Sequence, residues 1–184
     1  MDRTLARVGA FLTLGLAGIG AAEAGWSTSL NQGENPAYHY AIADGGTSNA
    51  NIGALALECH VEGPGPVWQL QLYPAEDGPI GPAGVAAEDI DARGATIEIN
   101  GTRIDVDPLG AGDFLALSDI ATDGFAGVSD RLIGAIASGS GELEIRLDMA
   151  PDRSGAAYAG FESAASFTLD GAGPAIAAVK AACR

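Results

Sequence analysis

Residues 95–106 read ATIEINGTRIDV, two short alternating runs joined by an Asn-Gly pair. Asparagine followed by glycine tolerates positive φ at both turn positions, as the type I′ hairpin turn requires. Ile97 and Ile99 match Ile104 and Val106 in spacing, so these four side chains share one face. The stretch therefore predicts an antiparallel hairpin with one apolar face against a core.

Alternation of apolar and polar residues predicts further strands on both sides of this hairpin. Residues 67–73 and 142–148 alternate most strictly, and each run is typical of a half-buried strand. Clusters of Gly, Pro, Asn and Asp separate the runs. Other candidate strands cover residues 26–30, 38–43, 51–60, 114–117 and 157–169. The pattern predicts a mainly β chain, an antiparallel β-sandwich of about eight short strands.

Two short helices complete the prediction, the second at the C-terminus. Ser129 is a good N-cap for a first helix, and Gly139 marks its end. The second helix opens near Pro174, where proline is tolerated. Its residues Ile176, Val179 and Cys183 are spaced by three and four, which places the thiol on the buried stripe.

Residues 1–24 are expected to be a secretory signal peptide. Arg3 and Arg7 precede an apolar run at residues 8–20, and Ala22-Glu23-Ala24 fits an A-x-A cleavage site. The run is shorter than the roughly 20 residues that span a bilayer, which favours cleavage over membrane insertion. Residues 25–184 would then form a single β-rich domain in the periplasm or outside the cell.

The chain contains two cysteines, Cys59 and Cys183. In an exported protein, two cysteines are most simply a disulfide, here tying the last helix to an early strand. Neither cysteine lies in a C-x-x-C motif, and both fall on apolar faces, where thiols are usually inert. A pair of free thiols, or a redox pair, is the alternative.

The net charge of −15 bears on possible partners. Such a charge repels nucleic acid and anionic lipid, so neither is expected to bind. A well-solvated acidic surface is one interpretation, and cationic partners or calcium are the other. We expect the partner to be a protein or another component of the envelope.

The sequence contains little that predicts an enzyme. It has no G-x-S-x-G motif, and its two histidines, His39 and His60, are read as surface or cross-strand residues. His60 follows Cys59, but neighbours on a strand point to opposite faces, so the two form no dyad by themselves. We therefore expect no catalytic site and no bound cofactor. A hydrolase of unknown specificity remains an alternative.

A run of carboxylates at residues 105–130 is the candidate metal site. Calcium prefers several oxygens in flexible loops, and Asp105, Asp107 and Asp113 are the first candidate ligands. The run does not have the spacing of an EF-hand loop. Calcium-dependent binding through these loops is therefore a second hypothesis, beside solvated acidic loops.

The ending of the chain resembles a known family. Phe167-x-Leu169-x-Gly171 is followed by Ala175-Ile176-x-x-Val179-x-x-x-Cys183, and a helix and strand at residues 129–148 precede it. This last third of the chain resembles the invasion-associated locus B-like exported β-rich proteins of alphaproteobacteria. The resemblance implies a compact exported sandwich without known catalysis, and it assigns no site residues. The sequence thus predicts an exported binding or structural module.

Overall fold

The computed structural model describes residues 25–31, 37–62, 65–76, 80, 92–111, 113–120, 127–149 and 162–184. Within these ranges the chain forms ten strands and two helices. The strands are β1 Trp26–Leu30, β2 His39–Asp44, β3 Thr47–Ser48, β4 Ile52–Glu62, β5 Gly65–Pro74, β6 Ala92–Ile99, β7 Thr102–Ala111, β8 Phe114–Ser118, β9 Glu142–Met149 and β10 Glu162–Thr168. The helices are α1 Asp130–Ser138 and α2 Ala172–Ala182.

The ten strands form one antiparallel sheet in the order β1-β2-β4-β5-β8-β7-β6-β9-β10-β3. Strand β7 connects two parts of this sheet, because residues 102–106 pair with β6 and residues 107–111 pair with β8. We call β1, β2, β4, β5 and β8 the first half-sheet, and β6, β9, β10 and β3 the second half-sheet. The prediction of a mainly β, antiparallel fold with a C-terminal helix is confirmed, with ten strands rather than about eight.

The sheet curls around one core. Strand β3 follows β2 after only Gly45 and Gly46, yet β3 pairs with β10 at the opposite end of the strand order. At Gly46 an added Cβ would lie 2.5 Å from the Phe167 ring, so only glycine allows this close approach. One apolar cluster contains buried side chains from both half-sheets, among them Leu57, Leu70, Ile97 and Ile145.

The Asn-Gly hairpin has the predicted geometry. Asn100 and Gly101 have φ of 51° and 75°, and Ile97 pairs with Ile104 across β6 and β7. Ile97, Ile99, Ile104 and Val106 are all buried. The local signal was sufficient here because the turn residues and the apolar face specify the same register.

Helix α1 begins and ends at the predicted residues, for partly different reasons. The Ser129 hydroxyl accepts a hydrogen bond from the Leu132 amide at 3.1 Å, the geometry of an N-cap. Gly139 ends the helix with φ of −67°, which does not require glycine. Instead, a Cβ at Gly139 would lie 2.6 Å from Leu169 and 2.9 Å from Ile99, so glycine is needed for close packing.

Helix α2 fastens the C-terminus to the first half-sheet. Cys183 lies at bonding distance from Cys59 on β4, with 1.96 Å between the sulfur atoms, as predicted. Ile176 and Val179 are buried beside it on the expected stripe. The backbone amide of Trp26 donates to Asp170 at 3.1 Å, and the indole donates to Thr168 at 2.8 Å. Strand β1 and the residues just before α2 are therefore joined by two hydrogen bonds.

Some predictions concern parts of the chain outside the described residues. The signal peptide at residues 1–24 lies entirely outside them, as does the beginning of the strand predicted over 157–169. In the described part of the chain, no helix has both the length and the apolar character that crossing a membrane requires.

Candidate functional site

Strand β4 is buried on both of its faces. Leu55, Leu57 and Cys59 belong to the core cluster, whereas Glu58 and His60 point to the other face of the sheet. Glu58 is nevertheless only 6% exposed and His60 only 7% exposed. A half-buried strand would leave these polar side chains in water, so their burial is the first sign of a specialised surface.

The surrounding strands contribute polar and aromatic side chains to this same face. In the register of β2, β4 and β5, Tyr40, Glu58 and Gln69 lie side by side. Three of the chain's four tyrosines are here, although the chain is only 6% aromatic. We call this surface the polar face, and its members are Tyr38, Tyr40, Glu58, His60, Gln69, Gln71 and Tyr73.

The Glu58 carboxylate has hydrogen-bond partners on its own strand β4 and on the neighbouring strand β5. Nδ1 of His60 lies 3.0 Å from Oε1, and Nε2 of Gln71 donates to Oε2 at 2.9 Å. Tyr40 lies directly opposite Glu58 on β2, and the nearby carboxylate helps to raise the pKa of its phenol. Burying a carboxylate is costly unless such donors compensate for the lost water. The polar face meets that requirement at Glu58.

A second layer of contacts holds these donors in place. The Gln71 amide nitrogen also donates to Oε1 of Gln69 at 2.6 Å, and the Tyr73 hydroxyl donates to Oε1 of Gln71 at 2.8 Å. The Tyr38 and His60 rings lie 5.0 Å apart between centroids. Gln71 is itself only 1% exposed, so the network runs from half-buried rings to a buried centre.

Two of the phenols titrate at unusually high pH. Burial, the negative charge of Glu58 and the hydrogen bond to it together raise the pKa of Tyr40 well above its ordinary value. Burial, Glu58 and Asp113 also raise the pKa of Tyr73. Both hydroxyls therefore remain protonated at neutral pH and act as hydrogen-bond donors.

Positively charged residues are absent from the strands that build this face. Between Arg7 and Arg93 the sequence contains no lysine or arginine. The outer side of the second half-sheet differs, because Arg146 pairs there with Glu144 at 2.6 Å and both side chains are substantially exposed. The second half-sheet thus has an ordinary solvated surface, whereas the buried acid of the first half-sheet has no lysine or arginine partner among the residues that the structure describes.

The structure does not bring the three candidate calcium ligands Asp105, Asp107 and Asp113 together in one group. Asp105 and Asp107 lie on the outer side of β7, and the Asp105 side chain is 91% exposed, 4.0 Å from Arg103. Asp113 lies in the turn that follows β7. Among the described residues, no three His, Cys, Asp or Glu side chains form a group that could hold a metal ion. Calcium binding in this region stays a prediction, which a rise in melting temperature on calcium titration would support.

The two histidines are cross-strand residues, as predicted, but neither is at the surface. His39 pairs with Cys59 on the core side of β2, and His60 pairs with Val67 on the polar face. In the described part of the chain, Nδ1 of His39 and Oγ of Ser163 are buried without a hydrogen-bond partner. His39 is therefore an apolar-side residue beside the disulfide and does not belong to the polar face.

Sequence reasoning missed Glu58 and its neighbours. The alternation in β5 correctly separated Gln69 and Gln71 from Trp68 and Leu70. The error was to treat the polar side of that strand as solvated, because alternation does not show what covers the second face. The absence of lysine and arginine over this part of the chain was the available signal.

We compared the chain with models of protein families, with curated proteins and with solved structures. None of the three comparisons found a significant match. The geometry of the polar face is therefore the basis for assigning a function.

Proposed function

We propose that this protein is an exported binding module that holds its partner on the polar face. The observation that carries the proposal is the buried carboxylate of Glu58, 6% exposed and surrounded by hydrogen-bond donors on the side of the sheet away from the core. A fold of this kind needs no acid at such a position. Replacing buried ionic groups by apolar side chains is often neutral or stabilising, so the network has a cost that a binding role would explain.

Export is supported by two features of different kinds. The disulfide between Cys59 and Cys183 is typical of proteins that fold in an oxidising compartment. The leader-like residues 1–24 fit the same route to the periplasm or the exterior. The partner would accordingly be a protein or another component of the envelope.

The chemistry of the polar face favours binding over the alternative of a hydrolase. General acid–base catalysis works best with groups whose pKa lies near the working pH. Tyr40 and Tyr73 have raised pKa values and stay protonated, and the remaining donor at Glu58 from β5 is a neutral amide. Such groups recognise a ligand well and transfer protons poorly, and the imidazole of His60, the other partner of Glu58, is only 7% exposed.

Site-specific photo-crosslinking in exporting cells tests this proposal. A photoreactive amino acid replaces Gln69, which is half-buried on the polar face, or Thr96, which is half-buried on the outer side of β6 and serves as control. We expect adducts, detected as added mass, from position 69 and none from position 96. Equal labelling at both positions, or none at position 69, would contradict a binding role for the polar face.

A further inference from the structure

The oxygens of Glu58 are already engaged in hydrogen bonds. Each oxygen of the carboxylate already has a hydrogen-bond partner, His60 at Oε1 and Gln71 at Oε2, and the side chain is only 8% exposed. The Gln71 amide is a neutral donor and His60 is charged only when protonated, so with a neutral His60 the charge of the carboxylate is not cancelled. A ligand therefore experiences a negative field here, but finds few free acceptor positions.

Aromatic rings lie where such a ligand would approach. Tyr38, Tyr40 and Tyr73 are half-buried, so part of each side chain remains open to solvent around the buried Glu58. The face of an aromatic ring attracts cations, and the attraction grows when water is excluded. Rings beside a carboxylate thus attract positive charge without requiring directed hydrogen bonds from the ligand.

Within the ranges that the structure describes, no lysine or arginine side chain forms an ion pair with Glu58. Strands β1, β2, β4, β5 and β8 contain neither residue, and the chain as a whole has a net charge of −15. The long-range field therefore draws cations toward the first half-sheet. Charge complementarity selects a cationic ligand over a neutral or anionic one.

The contacts also discriminate among cations. A guanidinium group binds best through paired hydrogen bonds to both oxygens of a carboxylate, whereas each oxygen of Glu58 already has a partner and the side chain is only 8% exposed. Calcium requires about six to eight oxygen ligands, which one engaged carboxylate cannot supply. An alkylated ammonium group needs neither paired hydrogen bonds nor a shell of oxygen ligands. Its methyl or methylene groups carry the positive charge and contact aromatic rings directly.

We infer that the polar face binds a small organic ligand through an alkylated ammonium group, which lies against the rings of Tyr38, Tyr40 and Tyr73 above the Glu58 carboxylate. This inference rests on the proposed binding function and names the class of ligand that the same surface takes. Gln69, which is half-buried, offers an amide group that would contact the rest of the ligand.

Isothermal titration calorimetry on the mature protein, with choline and tetramethylammonium chloride as probes, tests the inference at constant ionic strength. Both probes should bind saturably, whereas methylguanidinium and calcium should bind at least about tenfold more weakly, a difference of about 1.4 kcal/mol. Glu58→Gln should weaken choline binding about tenfold, since it removes the charge but keeps the side-chain shape.

Four further variants separate the roles of charge and rings. Tyr38→Leu removes a half-buried ring and should weaken choline binding roughly three- to tenfold, even if Glu58→Gln folds poorly. Tyr40→Phe keeps its ring and should bind more tightly than Tyr40→Leu. Glu144→Gln makes the same charge change on the outer side of the second half-sheet, and it should leave choline binding unchanged.

Failure of the inference can be told apart from failure of the proposed function. If neither ammonium probe binds saturably, or if Glu58→Gln and Glu144→Gln behave alike, the ammonium class is wrong. Should position 69 still form photo-adducts in that case, the polar face remains a binding surface for a ligand of another chemistry. Without adducts at position 69, both the function and this inference are overturned.

Discussion

Glu58 and Gln71 meet across β4 and β5, where the amide nitrogen donates to the carboxylate at 2.9 Å and both side chains are almost fully buried. Their backbone positions are offset by one step on the same face, since Glu58 pairs directly with Gln69. The hydrogen bond therefore runs diagonally between the strands. The Gln71 amide also donates to Gln69, the residue directly opposite Glu58. This contact is the centre of the polar face.

Removing the carboxylate should destabilise the protein strongly. In Glu58→Ala the buried Gln71 amide loses one of its two acceptors, and the buried His60 loses the carboxylate 3.0 Å from its Nδ1. An unmet buried donor is expensive, so we expect the free energy of unfolding to fall by about 2 to 4 kcal/mol. Urea denaturation followed by circular dichroism measures the change.

A matched control separates this effect from the loss of one negative charge. Glu144→Ala removes an acid that pairs with Arg146 on an exposed surface, where ion pairs contribute little. We expect it to change the free energy of unfolding by less than about 1 kcal/mol. An equal fall in the free energy of unfolding in Glu58→Ala and Glu144→Ala would show that the Glu58 network has no special energetic role.

The raised pKa values of Tyr40 and Tyr73 predict a loss of stability in alkali. Because the folded state holds these two phenolic protons more tightly than the unfolded chain does, their contribution is complete below the ordinary tyrosine pKa of about 10. It is lost as the pH rises from there toward the folded-state pKa. Thermal melts across this range, with phenolate absorbance recorded in parallel, follow both processes.

The variant Tyr40→Phe tests which residue causes the alkaline loss. It removes the phenol whose pKa is raised by burial, by the charge of Glu58 and by the hydrogen bond to it. The decline of melting temperature above about pH 10 should become shallower in this variant. An unchanged alkaline profile would mean that the Tyr40 phenol does not couple to folding.

Loss of the disulfide should weaken the attachment of the C-terminal helix. Cys59 and Cys183 are 124 residues apart in sequence, and closing a loop of that order stabilises by about 3 to 5 kcal/mol. The double variant Cys59→Ala, Cys183→Ala should lower the urea midpoint accordingly. Wild-type protein in reductant serves as the comparison. Two alkylatable thiols in protein taken from the periplasm would contradict the bridge itself.

Much of the fold could be predicted where local signals agree with long-range packing. The Asn100-Gly101 turn and the isoleucines beside it determine one register, and the spacing of Val179 and Cys183 places the thiol toward the core. Strand β3 could not be predicted, because two residues show no periodicity. It exists because the curled sheet brings Thr47 and Ser48 beside β10.

The candidate site was much harder to predict than the fold. Tyr40, Glu58 and Gln71 come from three strands, and their proximity depends on the register of two strand pairs. The sequence instead predicted a calcium site from carboxylates that are close along the chain. The extended strand β7 lies between Asp105 and Asp113 and keeps them apart. Sequence spacing is thus a poor guide to a site assembled across a sheet.

The double variant Glu58→Met, Gln71→Leu tests the central claim most directly, because it replaces the buried polar pair by apolar side chains of similar size. If the network serves binding, the urea midpoint should stay near or above the wild-type value, well above that of Glu58→Ala. Photo-adducts from position 69 should then disappear. A midpoint as low as that of Glu58→Ala, with adducts at position 69 retained, would contradict the account and assign the network to stability alone.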